Sequence, residues 1–390
     1  MLRSAFKLFC VFFSFSLVSC KNRQFGDADS EQTSLMNPHK LPEKGPWFEG
    51  WYMRITPTSG TDRSLGAIVG SYLPENSDRI ASEEAGLTGY AALLDGGPIG
   101  SKLSAYEAFP TDVRHYLNRS EIVDRDPLPS DRSSYRWKSM EVGEFSSESI
   151  HLTLKDDIWI KARWSEVVPW GKSGLGPEGI VSLFRAFPLH WFVYSLGSPV
   201  EFEAQLPDSL DSSKRKKVVG RGFAHLEKNW GVSFPESYVW MQAQQIETGK
   251  TIALAGGRPL NIAGLKPEAW LVGYRSELYN YSFGPQNVGT VFSSQVDSCE
   301  GKFTLESAFL DRKLIIEAQA RRDSFGGISI PKKSGFESNG SEQSFQTQIV
   351  SRLYEVIPFG LGGGTERLLE QTIFKTGALE FGGAYKCAQK

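Results

Sequence analysis

Surplus charge, histidine and cysteine are all scarce in this chain of 390 residues. The formal net charge is only −2, which gives no electrostatic case for binding nucleic acid. The five histidines, His39, His115, His151, His190 and His225, show no metal-ligand spacing, and there is no CxxC, so no dedicated zinc site is expected. No G-x-S-x-G nucleophile elbow occurs. Gly171-Lys172-Ser173 has the look of a phosphate-binding loop, but Glu166 occupies the position that needs the earlier glycine. Long runs of helical period are missing, and past residue 20 no segment is apolar enough for a transmembrane helix.

Aromatics and glycine are plentiful: 12% of residues are Phe, Trp or Tyr, and 39 are Gly. That balance favours strands and turns over helices. From Trp47 onward the chain reads as short runs separated by turn residues, among them "SLGAIVGSYL" (64–73), "GYAALLD" (89–95), "IWIKARW" (158–164), "YVWMQAQQI" (238–246) and "KLIIEAQA" (313–320). Many evenly spaced strands without intervening helices predict an all-β protein of antiparallel barrels or sandwiches, and the length suits two domains. The strand signal shows no linker, so length alone suggests domains at 45–190 and 191–390. Residues 119–147, 207–219 and 322–344 read as loops.

The N-terminus reads as a targeting segment. Arg3 and Lys7 precede the apolar stretch "LFCVFFSFSLV" (8–18), which runs into Leu17-Val18-Ser19-Cys20. This resembles a bacterial lipobox: residues 1–19 would be a signal peptide, and Cys20 would be acylated and anchor an exported protein to a bacterial membrane, at the periplasmic face or the outer membrane. The polar residues 20–44 would form a tether. Cys299 and Cys387 then remain in a compartment that permits disulfides. An even pair suits a disulfide, although sequence separation alone fixes no pairing.

Two stretches set carboxylates among aromatics. In "GPWFEGWYMRI" (45–55), Glu49 lies amid Trp47, Phe48, Trp51 and Tyr52; in "HLEKNWGVSFPESYVWMQ" (225–242), Glu227 precedes Trp230, Phe234, Tyr238 and Trp240. Read as strands, Glu49 shares a face with Trp47 and Trp51, and Glu227 shares one with His225 and Asn229, opposite Lys228 and Trp230. Burying an ionised carboxylate without a partner costs several kcal/mol, roughly, so such a group tends to take up a proton and become an acid available near neutral pH. Glu49 can equally pair with a cation such as Lys228 and tie strands together. Trp51, Trp191, Trp230 and Trp240 serve as core filler or, in a barrel interior, grip a flat apolar ligand. Gln242 alternates with Trp240 and favours a ligand-lined cavity. A hairpin through Gly231 to Ser237 would set Glu227 opposite Trp240 and Gln242.

"FEGWY" (48–52), "ARWSEVVPWG" (162–171), "AFPLHW" (186–191), "EKNWGVSFPESYVWMQ" (227–242), "ALAGG" (253–257) and "LEFGG" (379–383) resemble the tocopherol cyclases of plants and cyanobacteria, in the same order and across about residues 45–385. The resemblance implies paired lipocalin-like barrels, distantly related to carotenoid hydratase-like proteins. It implies an isomerase that closes a chromanol ring on a prenylated quinol without a cofactor. Protonation of a prenyl double bond would give a tertiary cation, which a phenol oxygen captures. Glu227, then Glu49, is the expected acid, and His190 and Asn229 would orient the phenol or relay its proton. Phe48, Trp51, Tyr52, Trp191, Trp230, Trp240 and Gln242 would line the substrate site. A non-catalytic carrier of an isoprenoid or lipid, and a hydratase working through the same cation, remain open alternatives.

Overall fold

The structure is a computed structural model that describes residues 44–77, 87–117, 120–121, 135–171, 176–179, 189–209, 211, 213–259, 267–359 and 363–387. Among these there is no α-helix, only strands, turns and short 3-10 turns. The expected lipid anchor, Cys20, and most of the tether lie outside the described residues.

Twelve strands form the first sheet: β1 (Trp47–Ser59), β2 (Leu65–Leu73), β3 (Thr88–Asp95), β4 (Ser104–Ala108), β5 (Arg114–Leu117), β6 (Ser120–Glu121), β7 (Tyr135–Ser139), β8 (Gly143–Ser146), β9 (Ser149–Thr153), β10 (Trp159–Trp164), β11 (Leu189–Pro207) and β12 (Arg215–Gly231). They pair antiparallel in the order β4-β3-β2-β1-β12-β11-β10-β9-β8-β7-β5-β6. A single bridge between Leu87 and Val113 brings the β3 end of this curl back to the β5 end. The second sheet holds β13 (Ser237–Gln245), β14 (Lys250–Arg258), β15 (Ala269–Arg275), β16 (Asn280–Phe283), β17 (Val291–Asp297), β18 (Lys302–Phe309), β19 (Arg312–Gln319), β20 (Gly326–Lys332), β21 (Gly335–Phe359) and β22 (Gly363–Gly383). Its order is β16-β15-β14-β13-β22-β21-β19-β18-β17, with β20 paired to β21. The all-β, double half-barrel architecture is the one expected.

The chain passes from one sheet to the other between Gly231 and Ser237, and positions 190/191 fall near the start of β11, which with β12 lies beside β1. Two stretches expected as loops carry hairpins. Tyr135–Ser139 pairs with Gly143–Ser146, and Gly326–Lys332 pairs with the start of β21. The hairpins turn at Met140–Val142 and at Lys333-Ser334. The third, 207–219, is partly strand, because β12 begins at Arg215.

Each sheet curls around its own core. In the first, Trp51, Met53, Ile55, Tyr135, Trp137, Phe145 and Leu226 pack together. In the second, Met241, Leu254, Trp270, Phe303, Leu314 and Phe381 do so. Strands that face only a core alternate: on β10, Ile160, Ala162 and Trp164 are buried, and Lys161 and Arg163 are exposed. In contrast, β1, β2, β3 and β13 are buried on both faces over most of their length. Their second faces meet between the sheets, where Tyr52, Tyr90, Trp191, Trp240, Ala253 and Phe345 belong to a third cluster.

Candidate functional site

That third cluster surrounds a cavity of about 480 Å³, lined mainly by apolar groups. The cavity thus lies between the sheets and not inside a barrel, because the barrel interiors are filled by side chains such as Trp51, Trp137 and Trp270. Strand alternation decides which residues reach it. On β1, Phe48, Gly50 and Tyr52 point toward the second sheet. β12 contributes Glu227 and Asn229, directly across from Tyr52 and Gly50, and β11 contributes Trp191. From the second sheet come Tyr238 and Trp240 of β13 and Glu380 of β22.

Glu227 is buried in the cavity wall. Its Oε2 accepts a hydrogen bond from Trp240 Nε1 (3.0 Å) and lies 2.9 Å from His225 Nε2. The meeting of Glu227 and Trp240 was expected from a hairpin, yet among the described residues β12 pairs with β1 and β11, and β13 with β14 and β22. Both edges of β12 are occupied, so the short link 232–236 crosses to the other sheet and the two side chains meet face to face.

Glu380 also faces the cavity. Its Oε1 accepts from the Tyr238 hydroxyl (2.7 Å) and its Oε2 from Gln343 Nε2 (3.1 Å). Burial pushes its carboxyl from 4.5 up to about 7; the negative charge of Glu227 adds to the rise, and the hydrogen bond from Tyr238 opposes it. Burial also holds the phenols of Tyr52 and Tyr238 well above 10, so both stay protonated; Tyr238 donates to Glu380, and the Tyr52 hydroxyl accepts from Gln343 Nε2 (3.5 Å). The second sheet therefore brings to the cavity a carboxyl that holds its proton near neutrality, and the first sheet brings Glu227. The Tyr52 and Trp240 rings, one from each sheet, pack edge to face at 5.1 Å.

The other candidates separate. Glu49 borders the cavity, but its carboxylate turns into the first core, where Oε1 pairs with Lys228 Nζ at 2.9 Å. The Lys228 ammonium lies 5.0 Å from the Trp230 ring centroid and 6.0 Å from that of Trp51. This is the strand-tying arrangement. Trp51 borders the cavity too, with its ring stacked on Tyr135 in the core. His190 and Trp230 stack on each other at 5.0 Å and do not line the cavity. His190 Nδ1 lies 2.8 Å from Glu178 Oε2, and Glu178 Oε1 accepts from the Trp191 backbone N–H. Gln242 sits beside the cavity, not in its wall, and accepts from Arg54 Nη1 (2.8 Å). Phe48 lines the wall and stacks on Phe234 at 5.3 Å. Glu380 and Tyr238 are the residues that sequence reasoning left without a role. A signal existed for Glu380: Leu379 and Phe381 flank it, so a strand there buries both neighbours on one face and turns a lone acid to the other.

Cys299 and Cys387 form a disulfide, which settles the pairing the sequence left open. Among the described residues, no group of three His, Cys, Asp or Glu side chains is placed to hold a metal ion.

A double half-barrel with an apolar, carboxylate-bearing cavity between its sheets defines the class of this protein. A family model described as tocopherol cyclase-like matches residues 165–383, more than half of the chain, and the chain belongs to that family. The crystal structure of CghA shares the fold: the match covers 92% of this chain and 97% of CghA, with a TM-score of 0.52 at 10% identity. Kievitone hydratase from Nectria haematococca aligns over 90% of this chain and 92% of its own at a TM-score of 0.43 and 9% identity, too distant to carry an argument. No curated protein matches the chain.

Proposed function

We propose that the protein binds a prenylated quinol or related isoprenoid between its two sheets and closes a ring on it by acid-initiated chemistry. The observation that carries this reading is the cavity-wall pair of Glu380, its carboxyl raised to about 7, and Glu227. In place of Glu227, Glu380 is the proton donor. Its O–H bond breaks as the proton adds to the less substituted olefin carbon, leaving a tertiary cation and the Glu380 carboxylate. The faces of Tyr52 and Trp240 steady the cation. The phenol oxygen then bonds to the cationic carbon, and its proton returns to the carboxylate pair. The product is an isomer of unchanged mass, and the enzyme is restored. Apolar walls exclude the water that would otherwise compete for the cation.

Mass spectrometry of ligand extracted from the purified protein, before and after incubation, tests the reading. An isomer of unchanged mass supports it. A gain of water marks a hydratase, and a ligand returned unaltered marks a carrier. Glu380→Gln is expected to lower turnover by ~10²-fold or more, the scale of general acid catalysis, while ligand is retained. We further propose that Cys20 is acylated and holds the protein on a bacterial membrane. Cys20→Ala is expected to yield a soluble or uncleaved form, and unchanged membrane attachment would overturn the anchor.

A further inference from the structure

Five residues form one row across the cavity face of the first sheet: Tyr90 of β3, Gly70 of β2, Gly50 of β1, Asn229 of β12 and Trp191 of β11. Each is register-paired with the next, and all five line the cavity. The middle of the row has no side chains. A Cβ on Gly50 would meet nothing nearer than the Val69 carbonyl oxygen at 3.4 Å, and one on Gly70 nothing nearer than the Glu49 carbonyl oxygen at 3.3 Å. Neither glycine needs its freedom for a turn, since both sit mid-strand. Along β1, Phe48 and Tyr52 flank Gly50 on the same face. With strands about 4.8 Å apart, the strands carrying Tyr90 and Asn229 lie about 14 Å apart, with bare backbone between them.

Two further observations point to a ligand. The Asn229 side chain is half-buried in this wall and makes no hydrogen bond to another described residue. Trp240 and Tyr238 of the facing sheet border the same space, and Glu227 stands one row along, opposite Tyr52.

We propose that Gly50 and Gly70 form the floor of a slot that admits a flat ring, and that the Asn229 amide hydrogen-bonds an oxygen substituent on that ring. This rests on the cavity being the substrate site, as proposed above, and assigns the residues that select the ring. With the ring on the glycine floor, the tail attached to it runs toward Tyr52, Glu227 and Glu380. Side chains on the floor would exclude the ring and leave room for a slender chain, so the two glycines set specificity.

The test is a calorimetric titration of the full chain with three probes: menadione (a flat ring with oxygens), 2-methylnaphthalene (the same ring system without them) and farnesol (acyclic). Gly50→Leu is expected to weaken menadione and 2-methylnaphthalene about tenfold or more and to change farnesol less than about threefold. Gly50→Ala, whose Cβ has room, guards against misfolding and is expected to give the same order of effects at smaller size with an unchanged melting temperature. Asn229→Leu is expected to weaken menadione about tenfold and to spare 2-methylnaphthalene. Parallel losses for ring and chain, or no loss in either glycine variant, would overturn the slot. Asn229→Leu acting equally on both rings would overturn the hydrogen bond. A wild-type protein that binds none of the probes would instead overturn the cavity as an apolar-ligand site.

Discussion

Glu380, partly buried at the cavity, and Glu49, fully buried, show how neighbours decide what an interior carboxyl group does. Glu380 has neutral hydrogen-bond donors and a negative neighbour, so burial wins and its carboxyl rises to about 7. Glu49 sits against the Lys228 ammonium. The Glu380 shift is a statement about stability. Its folded value exceeds the unfolded one, so the native state binds more proton between about pH 4.5 and pH 7. The stabilisation is full below that window and is lost as pH rises through it, a change of roughly 3 kcal/mol. Glu380→Gln removes the titration. Urea unfolding is expected to show the variant gaining on wild type from pH 4 to pH 8, and parallel pH slopes would exclude Glu380 as their source. Lys228→Met takes the ammonium from beside Glu49, and its expected cost is about 3–5 kcal/mol, read from the same denaturation curves. A loss under 1 kcal/mol would show that the pair does not hold β1 to β12.

At the level of strands, alternation was legible and partnership was not. The period of two sorted β12 correctly: His225, Glu227 and Asn229 face one way, and Leu226, Lys228 and Trp230 face the other. The near-continuous apolar runs of β2 and β3 already carried the mark of strands buried on both faces. What they packed against could not be read, because pairing of β1 with β12 joins residues as far apart as Phe48 and Gly231. For the same reason Glu227 could be singled out from its own motif, while its proximity to Glu380 depends on how two sheets stack. The disulfide is another such long-range contact. It ties the turn between β17 and β18 to the chain just after β22 and closes 88 residues. Chain-entropy reasoning gives about 4–5 kcal/mol for such a loop, with 2–4 kcal/mol the usual yield. Cys387→Ser is expected to lose about that much in chemical denaturation. Equal midpoints with and without reductant would show that the link adds nothing.

Across the whole molecule, the two sheets share a packed apolar interface. Strands β1, β2, β3 and β13 are buried on both faces over most of their length, so parting the sheets would expose the Tyr52–Trp240 cluster to solvent. Backbone bonds also cross: Leu103 N–H donates to the Ser324 carbonyl (3.0 Å), and Glu75 N–H to that of Lys333 (2.6 Å). The Tyr72 hydroxyl donates to the Lys332 carbonyl at 2.7 Å. Arg54 is the deepest of these ties. It is fully buried on β1, and burial lowers it only to about 10, so it is charged at neutral pH. Within its own sheet Nη1 and Nη2 donate to Thr56 and Ser64 (both 3.2 Å). Across the gap they donate to Gln242 Oε1 (2.8 Å) and the Thr376 carbonyl (3.0 Å). These ties predict a single cooperative unfolding transition, with tryptophans of both sheets reporting the same midpoint. Arg54→Met strips partners from the buried Gln242 amide and the part-buried Thr376 carbonyl. Hydrogen bonds to a charged donor are worth about 1.5–3 kcal/mol each, so a loss of roughly 3 kcal/mol is expected, with the midpoint lowered and the transition still single. Two resolved transitions in the wild-type protein would mean that each sheet stands on its own core, and the cavity would then lie at a seam able to open. A single transition that Arg54→Met splits in two would place the coupling in that one side chain, not in the apolar contact around it.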